Sequence, residues 1–380
     1  MRQIVAYIVS ALRRNALLSV LLAALVALNL HREVAIARYA ALVDWPTIAA
    51  LAGLLVLTKG IESSQSFDAL TRRLVPRFQT ERALAFALVT TSALASMLLT
   101  NDVTLFAVVP TTMALANSAQ VPVGRLVVFE ALAVNAGSAL TPIGNPQNLF
   151  LWQSSGVSFA RFTLSMVPLA VVCAIVLACA TLLAFRNKPL VTQPRKASAP
   201  LHLGLLTVSA VLYVPFLVLA DTHRALLGFA AVILAFALLF PRILVQVDWT
   251  LIAIFILMFI DLRLVAQLDS VHALLQHLRV ASPEHLFLTG IGVSQLLSNV
   301  PATIALEPYT QHRWLLAYAV NIGGFGIALG SLANIIALRL CNAQRIWVVF
   351  HAYSLPVLAI VAALVYVGLS LSHLWSMQPW

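Results

Sequence analysis

Apolar runs long enough to cross the roughly 30 Å hydrocarbon core of a bilayer recur from one end of this 380-residue chain to the other. The polar stretches between them are too short to fold alone. Hydrophobic residues make up 61% of the chain and charged residues 9%, against about 25% charged in soluble domains. Lipid is therefore the solvent, and the chain reads as an all-α polytopic membrane protein. One stretch breaks the pattern. "NAGSALTPIGNPQN", residues 135–148, sets glycine, proline and three asparagines where a membrane helix should hydrogen-bond only to itself.

Hydrophobic runs and turn signals predict helices near 15–30, 46–61, 82–99, 103–118, 125–152 and 161–185. After a polar basic linker, more are predicted near 202–220, 224–240, 249–264, 285–297, 302–308, 314–340 and 346–371. The two halves resemble each other. Asp44-Trp45 opens one apolar span and Asp248-Trp249 opens its counterpart, while Thr100-Asn101 and Ser298-Asn299 each follow a Leu-Leu pair and precede a short apolar arm. In the first half Asn135-x-Gly137-Ser138 is followed by Gly144-Asn145 and then Asn148; in the second, Asn321-x-Gly323-Gly324 is followed at the same spacing by Gly330-Ser331 and Asn334. Three matches in one order indicate duplication.

Lys and Arg placement sets the expected topology. With a cytoplasmic amino terminus and with 82–118 and 285–308 as hairpins that return to their starting side, 16 of the 23 Lys and Arg fall inside. Two full spans have the same parity as a re-entrant hairpin, so the count does not separate them. The expected organisation is about nine full spans plus two hairpins. A first repeat at 1–185 contains the hairpin 82–118 and a broken helix at 125–152; a cytoplasmic linker follows at 186–201, and a connector helix at 202–223 inverts the second repeat, 224–380, with its hairpin at 285–308 and broken helix at 314–340. The carboxyl terminus is then periplasmic, in a bacterial inner membrane. A secretory-signal reading of Arg13, Arg14 and Ala35-Ile36-Ala37 competes with the first span.

Counting about 1.5 Å per residue from Arg125, Asn135 lies near the middle of the core. Gly137, Pro142, Gly144 and Pro146 cannot sustain a regular helix there, and irregular backbone at that depth is tolerated only where protein or a water-filled cavity covers it. A broken helix offers amino-terminal amides to an anion and freed carbonyls to a cation. Asn135, Ser138, Thr141, Asn145 and Asn148 add neutral donors and acceptors, as do Asn321, Ser331 and Asn334 in the second half. The competing reading is a kinked helix whose polar groups satisfy one another. The turns "LLTNDVT" and "LLSNVPAT" carry Thr100, Asn101, Asp102 and Thr104, and Ser298, Asn299 and Thr303, and read as hairpin tips or as ordinary interfacial turns.

A carboxylate deep in a bilayer must be neutralised, paired or holding a cation. Asp102 is accordingly a candidate for proton or sodium coupling, or a cap for the arm that follows it. Glu130 either joins it or pairs with a basic residue near the interface. Lys59 and Arg263 end equivalent spans and are expected to snorkel; Gln295 and His351, in apolar context, either face the path or pack. Cys173, Cys179 and Cys341 read as small buried hydrophobes. The charge of +10 is scattered among loops rather than gathered in a stripe, which argues against nucleic acid. No zinc-protease, serine-elbow or phosphate-loop signature occurs, so enzymatic and ATP-driven functions have no support.

At Thr100-Asn101-Asp102, "GSALTPIGNPQN" (137–148), Ser298-Asn299 and "NIGGFGIALGSLAN" (321–334), the chain resembles the ion transporter superfamily, which groups arsenite permeases, divalent anion/sodium symporters, citrate transporters and some sodium/proton antiporters. The likeness spans about Asp44 to Ile360 and is greatest to a compact bacterial branch akin to arsenite permeases. It implies opposed re-entrant hairpins with Asn101 and Asn299 at their tips, a transport unit moving as an elevator against a scaffold, and a homodimer. The implied substrate site comprises Asn101, Thr104, Asn135, Ser138, Thr141, Asn145, Asn148, Ser298, Asn299, Thr303, Asn321, Gly324, Ser331 and Asn334. Thr100, Asp102, Glu130, Gly137, Gly144, Gly323 and Gly330 surround the coupling ion, with sodium expected near Thr100, Asn101 and Gly137 and no other cofactor.

Departures from the family matter as well. Asp102 and Val300 replace the threonines of the dicarboxylate carriers' tips, Ser138 stands where many relatives have a second glycine, and Asn145 stands where arsenite and antiporter branches often have aspartate. The expected function is secondary active transport of a small anion, oxyanion or neutral oxyacid with protons or sodium; sodium/proton antiport, arsenite or antimonite efflux and an anion channel are the rivals.

Overall fold

The computed structural model describes residues 16–32, 38–74, 77–116, 121–190, 200–341, 343–372, 375 and 380. Arg2, Arg13, Arg14, Ala35 to Ala37 and most of the basic linker lie outside the described residues. In chain order the helices of the first half are α1 Ala16–Arg32, α2 Tyr39–Leu42, α3 Trp45–Ser63, α4 Ser66–Leu74, α5 Glu81–Leu98, α6 Asn101–Ala116, α7 Val123–Ser138, α8 Pro146–Ser155 and α9 Phe159–Ala184. There follow α10 Leu203–Asp221, α11 Ala225–Leu239, α12 Pro241–Gln246, α13 Trp249–Ala266, α14 Asp269–His277, α15 Pro283–Leu297, α16 Asn299–Leu306, α17 Arg313–Gly323, α18 Leu332–Cys341 and α19 Ile346–Leu371.

The matched Asp-Trp openings behave alike. Asp44 caps α3 by accepting from Thr47 N at 2.9 Å, and Asp248 caps α13 by accepting from Thr250 N at 3.1 Å. Each neighbouring indole donates to the carbonyl five residues back, Trp45 to Ala40 at 2.9 Å and Trp249 to Leu244 at 2.8 Å. The same local sequence thus fixes the same helix entry twice.

The helix expected over 125–152 is divided into α7 and α8, and that expected over 314–340 into α17, a 3₁₀ turn at Ala328–Gly330, and α18. Pro146 lacks the N–H an uninterrupted helix needs, and Asn145 accepts from Asn148 N at 2.9 Å to start α8 afresh. The arms α6 and α16 begin at Asn101 and Asn299, two and three residues before the expected 103 and 302. The reason is local: each asparagine Oδ1 accepts from the next residue's amide, Asp102 N and Val300 N, both at 2.9 Å. Four short connecting helices, α2, α4, α12 and α14, were not expected.

Among the described residues six helices are long and apolar enough to cross a membrane: α3, α5, α9, α10, α13 and α19. α5 belongs to this group although it was expected to be one arm of a hairpin. The two broken helices are missing from it because each break leaves pieces of at most 16 residues, or about 24 Å.

α7 and α17 are the heart of the molecule. Every residue from Leu126 to Ser138 and from Trp314 to Gly323 is buried, as expected of helices that are apolar on all faces. α5 and α6 pack on α7, α15 on α17, and α18 on both α6 and α7, while α8 contacts α16 and α17. A second group consists of α3 with α10, α11 and α12, joined by α13, which also holds α1. The outer helices turn large apolar side chains outward, among them Leu164, Ile175, Leu183, Val214, Leu238 and Leu371. Such a surface suits acyl chains rather than water. Cys173 and Cys341 are buried as expected, but Cys179 is exposed on the outward face of α9.

Candidate functional site

The two breaks interlock. Asn135 Nδ2 donates to Asn334 Oδ1 at 2.7 Å, and Asn321 Nδ2 donates to Asn148 Oδ1 at 2.7 Å. Since Asn135 corresponds to Asn321 and Asn148 to Asn334 in the duplicated motif, exchanging the halves converts one bond into the other. Asn145 Nδ2 also reaches Asn321 Oδ1 at 2.9 Å, and Asn135 Nδ2 reaches Gly324 O at 3.2 Å. All of these residues are buried.

Carbonyls freed by the breaks are collected by amides. Asn148 Nδ2 lies 3.3, 3.1 and 3.1 Å from the carbonyls of Ser138, Ala139 and Thr141, Asn145 Nδ2 lies 3.1 Å from Ser138 O and 3.2 Å from Ser138 Oγ, and Asn334 Nδ2 donates to Gly324 O at 2.9 Å. The asparagines of the breaks are therefore mutual locks, and their side-chain N–H groups are already committed to protein. Ser138 donates to Asn135 O at 3.2 Å and Thr141 to Met97 O at 2.6 Å; Ser331 Oγ is buried without a partner among the described residues.

The second break has outer braces as well. Gln295 Nε2 donates to Gly323 O at 2.7 Å and its Oε1 accepts from Ile327 N at 2.9 Å, while His351 Nε2 accepts from Ala328 N at 3.3 Å and Ser354 donates to Gly326 O. Gln295 and His351 hold backbone rather than face an open path. Close helix contact underlies this region. A β-carbon on Gly137 would lie 2.0 Å from Ala93 O and 2.5 Å from Ser96 Oγ, and one on Gly323 would lie 2.4 Å from Ser294 Cβ. Ser96 and Ser294 each stand four residues before a residue of the turn that follows, Thr100 and Ser298, and the repeat "SMLLTN" against "SQLLSN" was the signal that would have found them. Gly144 and Gly330 lie against the ends of the preceding half-helices, where a β-carbon would be 2.3 Å from Ser138 O and 2.5 Å from Gly323 O.

Both turns join this cluster. Asn101 N donates to Gly144 O at 2.8 Å, and Asn299 Nδ2 is beside Gly324, 3.4 Å from where its β-carbon would be. Thr100, Asn101, Ser298 and Asn299 are buried, and Ser298 holds φ of +77° to make the second turn. Thr104 and Thr303 donate to backbone carbonyls four residues back, at 3.1 and 2.7 Å. In contrast with the break asparagines, Asn101 and Asn299 use only Oδ1; among the described residues neither side-chain NH₂ has a partner.

Three buried carboxylates stand out. Asp102, 9% exposed, accepts no hydrogen bond among the described residues and lines a cavity of about 350 Å³ together with Lys59, Glu62, Gln246 and Asp248. Glu130 is fully buried, accepts from Thr112 through Oε1 and has no partner at Oε2. Among the described residues it is not paired with a basic one, and Arg125 is turned to Ala184 O at 2.7 Å. Asp261, which the sequence reading passed over, is 3% exposed with neither oxygen partnered. Lys59 pairs with Glu62 at 3.0 Å, and Arg263 donates to Leu42 O at 2.9 Å while stacking 5.4 Å over Phe259.

Comparison with known proteins follows the same lines. A family model described as citrate transporter matches residues 4–314. The chain is 47% identical to the inner membrane protein YbiR of Escherichia coli over 86% of its own length and 88% of that protein. It is 29% identical to the uncharacterized transporter MJ0456 of Methanocaldococcus jannaschii over 79% and 82% of the two chains. A shorter stretch, 33% of this chain and 26% of the other, is 33% identical to the silicon efflux transporter LSI3 of Oryza sativa.

Proposed function

The chain belongs to the citrate transporter family of membrane transporters, and on that premise we propose that it is a secondary active carrier of a small anion, oxyanion or neutral oxyacid, coupled to protons or sodium. The observation that carries the reading is the contrast among the asparagines. Those of the breaks have committed their amide donors to protein, whereas Asn101 and Asn299 keep free NH₂ groups at the starts of α6 and α16. Free donors at helix amino termini recognise an electron-rich, oxygen-bearing ligand. Asn145, where related branches often carry aspartate, adds no negative charge of its own beside the breaks. The rice relative's name, silicon efflux, is in keeping with such cargo. Asp102, with no protein partner, is the coupling carboxylate in this reading, and Glu130 a second.

In the same proposal α5–α6 and α15–α16 are opposed re-entrant hairpins of inverted repeats. Together with α7–α9 and α17–α19 they move as one elevator unit against α3 and α10–α13. The asparagine cross-links support this grouping, because they tie the two breaks together and leave α3 and α10–α13 out of the network.

The test is flux into proteoliposomes under imposed proton or sodium gradients, with arsenite, antimonite, silicic acid, phosphate and citrate as a panel. Saturable uptake that follows one gradient is expected for at least one oxygen-rich solute, with Asn101→Ala and Asn299→Ala abolishing it or raising KM while the melting temperature falls only by the loss of one Oδ1 cap each, about 1 kcal/mol. Flux indifferent to both gradients would make the protein a channel; wild-type KM in both variants would remove the tips from the site.

A further inference from the structure

The cavity beside Asp102 has a charge balance that an anion path would not have. Its ionisable lining is Lys59, Glu62, Asp102 and Asp248. Lys59 and Glu62 neutralise each other at 3.0 Å, so the two aspartates are left over. Asp248 keeps one oxygen on the amide of Thr250, and Asp102 keeps none on protein although it is nine-tenths buried. Gln246, whose side chain is a neutral amide, also lines the cavity.

The cavity also has a way in. A larger space of about 890 Å³ shares Lys59, Glu62, Phe106 and Gln246 with it and continues past Arg242 and His202. Lys59 and Glu62 therefore sit where the two spaces join. This end of α3 and α12 is the side on which the placement of Lys and Arg puts the cytoplasm. A concave space with low-dielectric walls and uncompensated negative charge concentrates cations and repels anions.

We propose that this chamber is a monovalent-cation site, adjoining the tip at Asn101, in which Asp102 and Asp248 together hold the ion and the Lys59–Glu62 pair sets the field at its neck. The inference uses the transporter reading only in identifying the held ion with the coupling ion. The site has one carboxylate from α6, in the asparagine-linked group, and one from the cap of α13, in the other group. Relative movement of the two groups would part the two carboxylates and release the ion, and such a site couples ion binding to conformation.

Charge-selective thiol modification reads the chamber without requiring transport. Single cysteines are placed at Phe106 and Gln246 in a protein whose Cys173, Cys179 and Cys341 have been replaced by serine, with Gln276→Cys, exposed on α14, as the reference. A cationic trimethylammonium methanethiosulfonate should outpace the anionic sulfonate reagent at 106 and 246 by about tenfold more than at 276. Asp248→Asn and Asp102→Asn should each reduce that preference, and Lys59→Gln should increase it. Sodium at fixed pH, with N-methylglucamine as control, should slow modification if the ion is sodium; lowered pH should do so if it is a proton. Equal or reversed reagent preference, indifference to both aspartate substitutions, or protection by neither ion would overturn the proposal. These outcomes do not depend on Asn101 or Asn299, so failure here is distinguishable from failure of the anion reading.

Discussion

Replacing Gly137 by alanine tests the interlocked core most sharply. The new β-carbon would lie 2.0 Å from the Ala93 carbonyl oxygen, 2.7 Å from its carbon and 2.5 Å from Ser96 Oγ. A carbon–oxygen contact relaxes only near 3.3 Å, so α5 must retreat from α7 by about 1.3 Å. The obstacle is backbone, which cannot rotate away, and α5 leads into the turn whose Asn101 N donates to Gly144 O at 2.8 Å. Overpacking of this kind costs about 1–3 kcal/mol, and a backbone obstacle puts it at the upper end. A fall of about 5 °C in the melting temperature of the detergent-solubilised protein is the expected reading. Gly323→Ala is the internal control. Its near obstacles, at 2.4 and 2.7 Å, are both atoms of Ser294, and the nearest backbone oxygen, Ile291 O, is at 3.3 Å. Ser294→Gly should therefore rescue Gly323→Ala, less about 1 kcal/mol for a helical glycine, whereas Ser96→Gly should not rescue Gly137→Ala. Wild-type melting of Gly137→Ala, or equal rescue in the two halves, would refute the close approach of α5 and α7.

Three further outcomes follow from the site. A double-mutant cycle on Asn135→Ala and Asn334→Ala should give a coupling of about 0.5–2 kcal/mol in thermal or chemical unfolding, and the cycle on Asn321→Ala and Asn148→Ala should give a similar one; strict additivity would mean the cross-links do not form in the membrane. Asp261→Leu should raise the melting temperature, by the equivalent of about 1–4 kcal/mol, because an unpartnered buried carboxyl is exchanged for an apolar side chain; destabilisation would reveal a partner for Asp261. Thr112→Val should cost about 1–3 kcal/mol by removing the only side-chain partner of Glu130 among the described residues, and clearly less in a Glu130→Gln background, whereas equal costs would place the Thr112 hydroxyl's contribution elsewhere.

Composition and periodicity were enough to determine a helical membrane protein with interruptions within 135–148 and 321–334, because a bilayer offers unpaired backbone no other solvent and glycine and proline cannot be hidden in a helix pattern. The matched motifs also carried the pairing of residues between halves, down to the Asn-to-Asn equivalences. What they could not carry was which partner each asparagine chose. Asn145, Asn148 and Asn334 look like ligands in the sequence as much as Asn101 does, yet contacts between residues nearly 200 positions apart turn them into locks and leave the two tip amides free. Asp261 was passed over, and Asp248 was noted only as the opening of its span, because neither residue's neighbours in space can be read from its neighbours in the chain. Lys59 reads in the sequence as the end of an apolar span, and only the fold shows that it pairs with Glu62 at the edge of a cavity. Local sequence decides where a helix must stop; long-range packing decides which polar groups are left over, and it is the leftover groups that can bind something else.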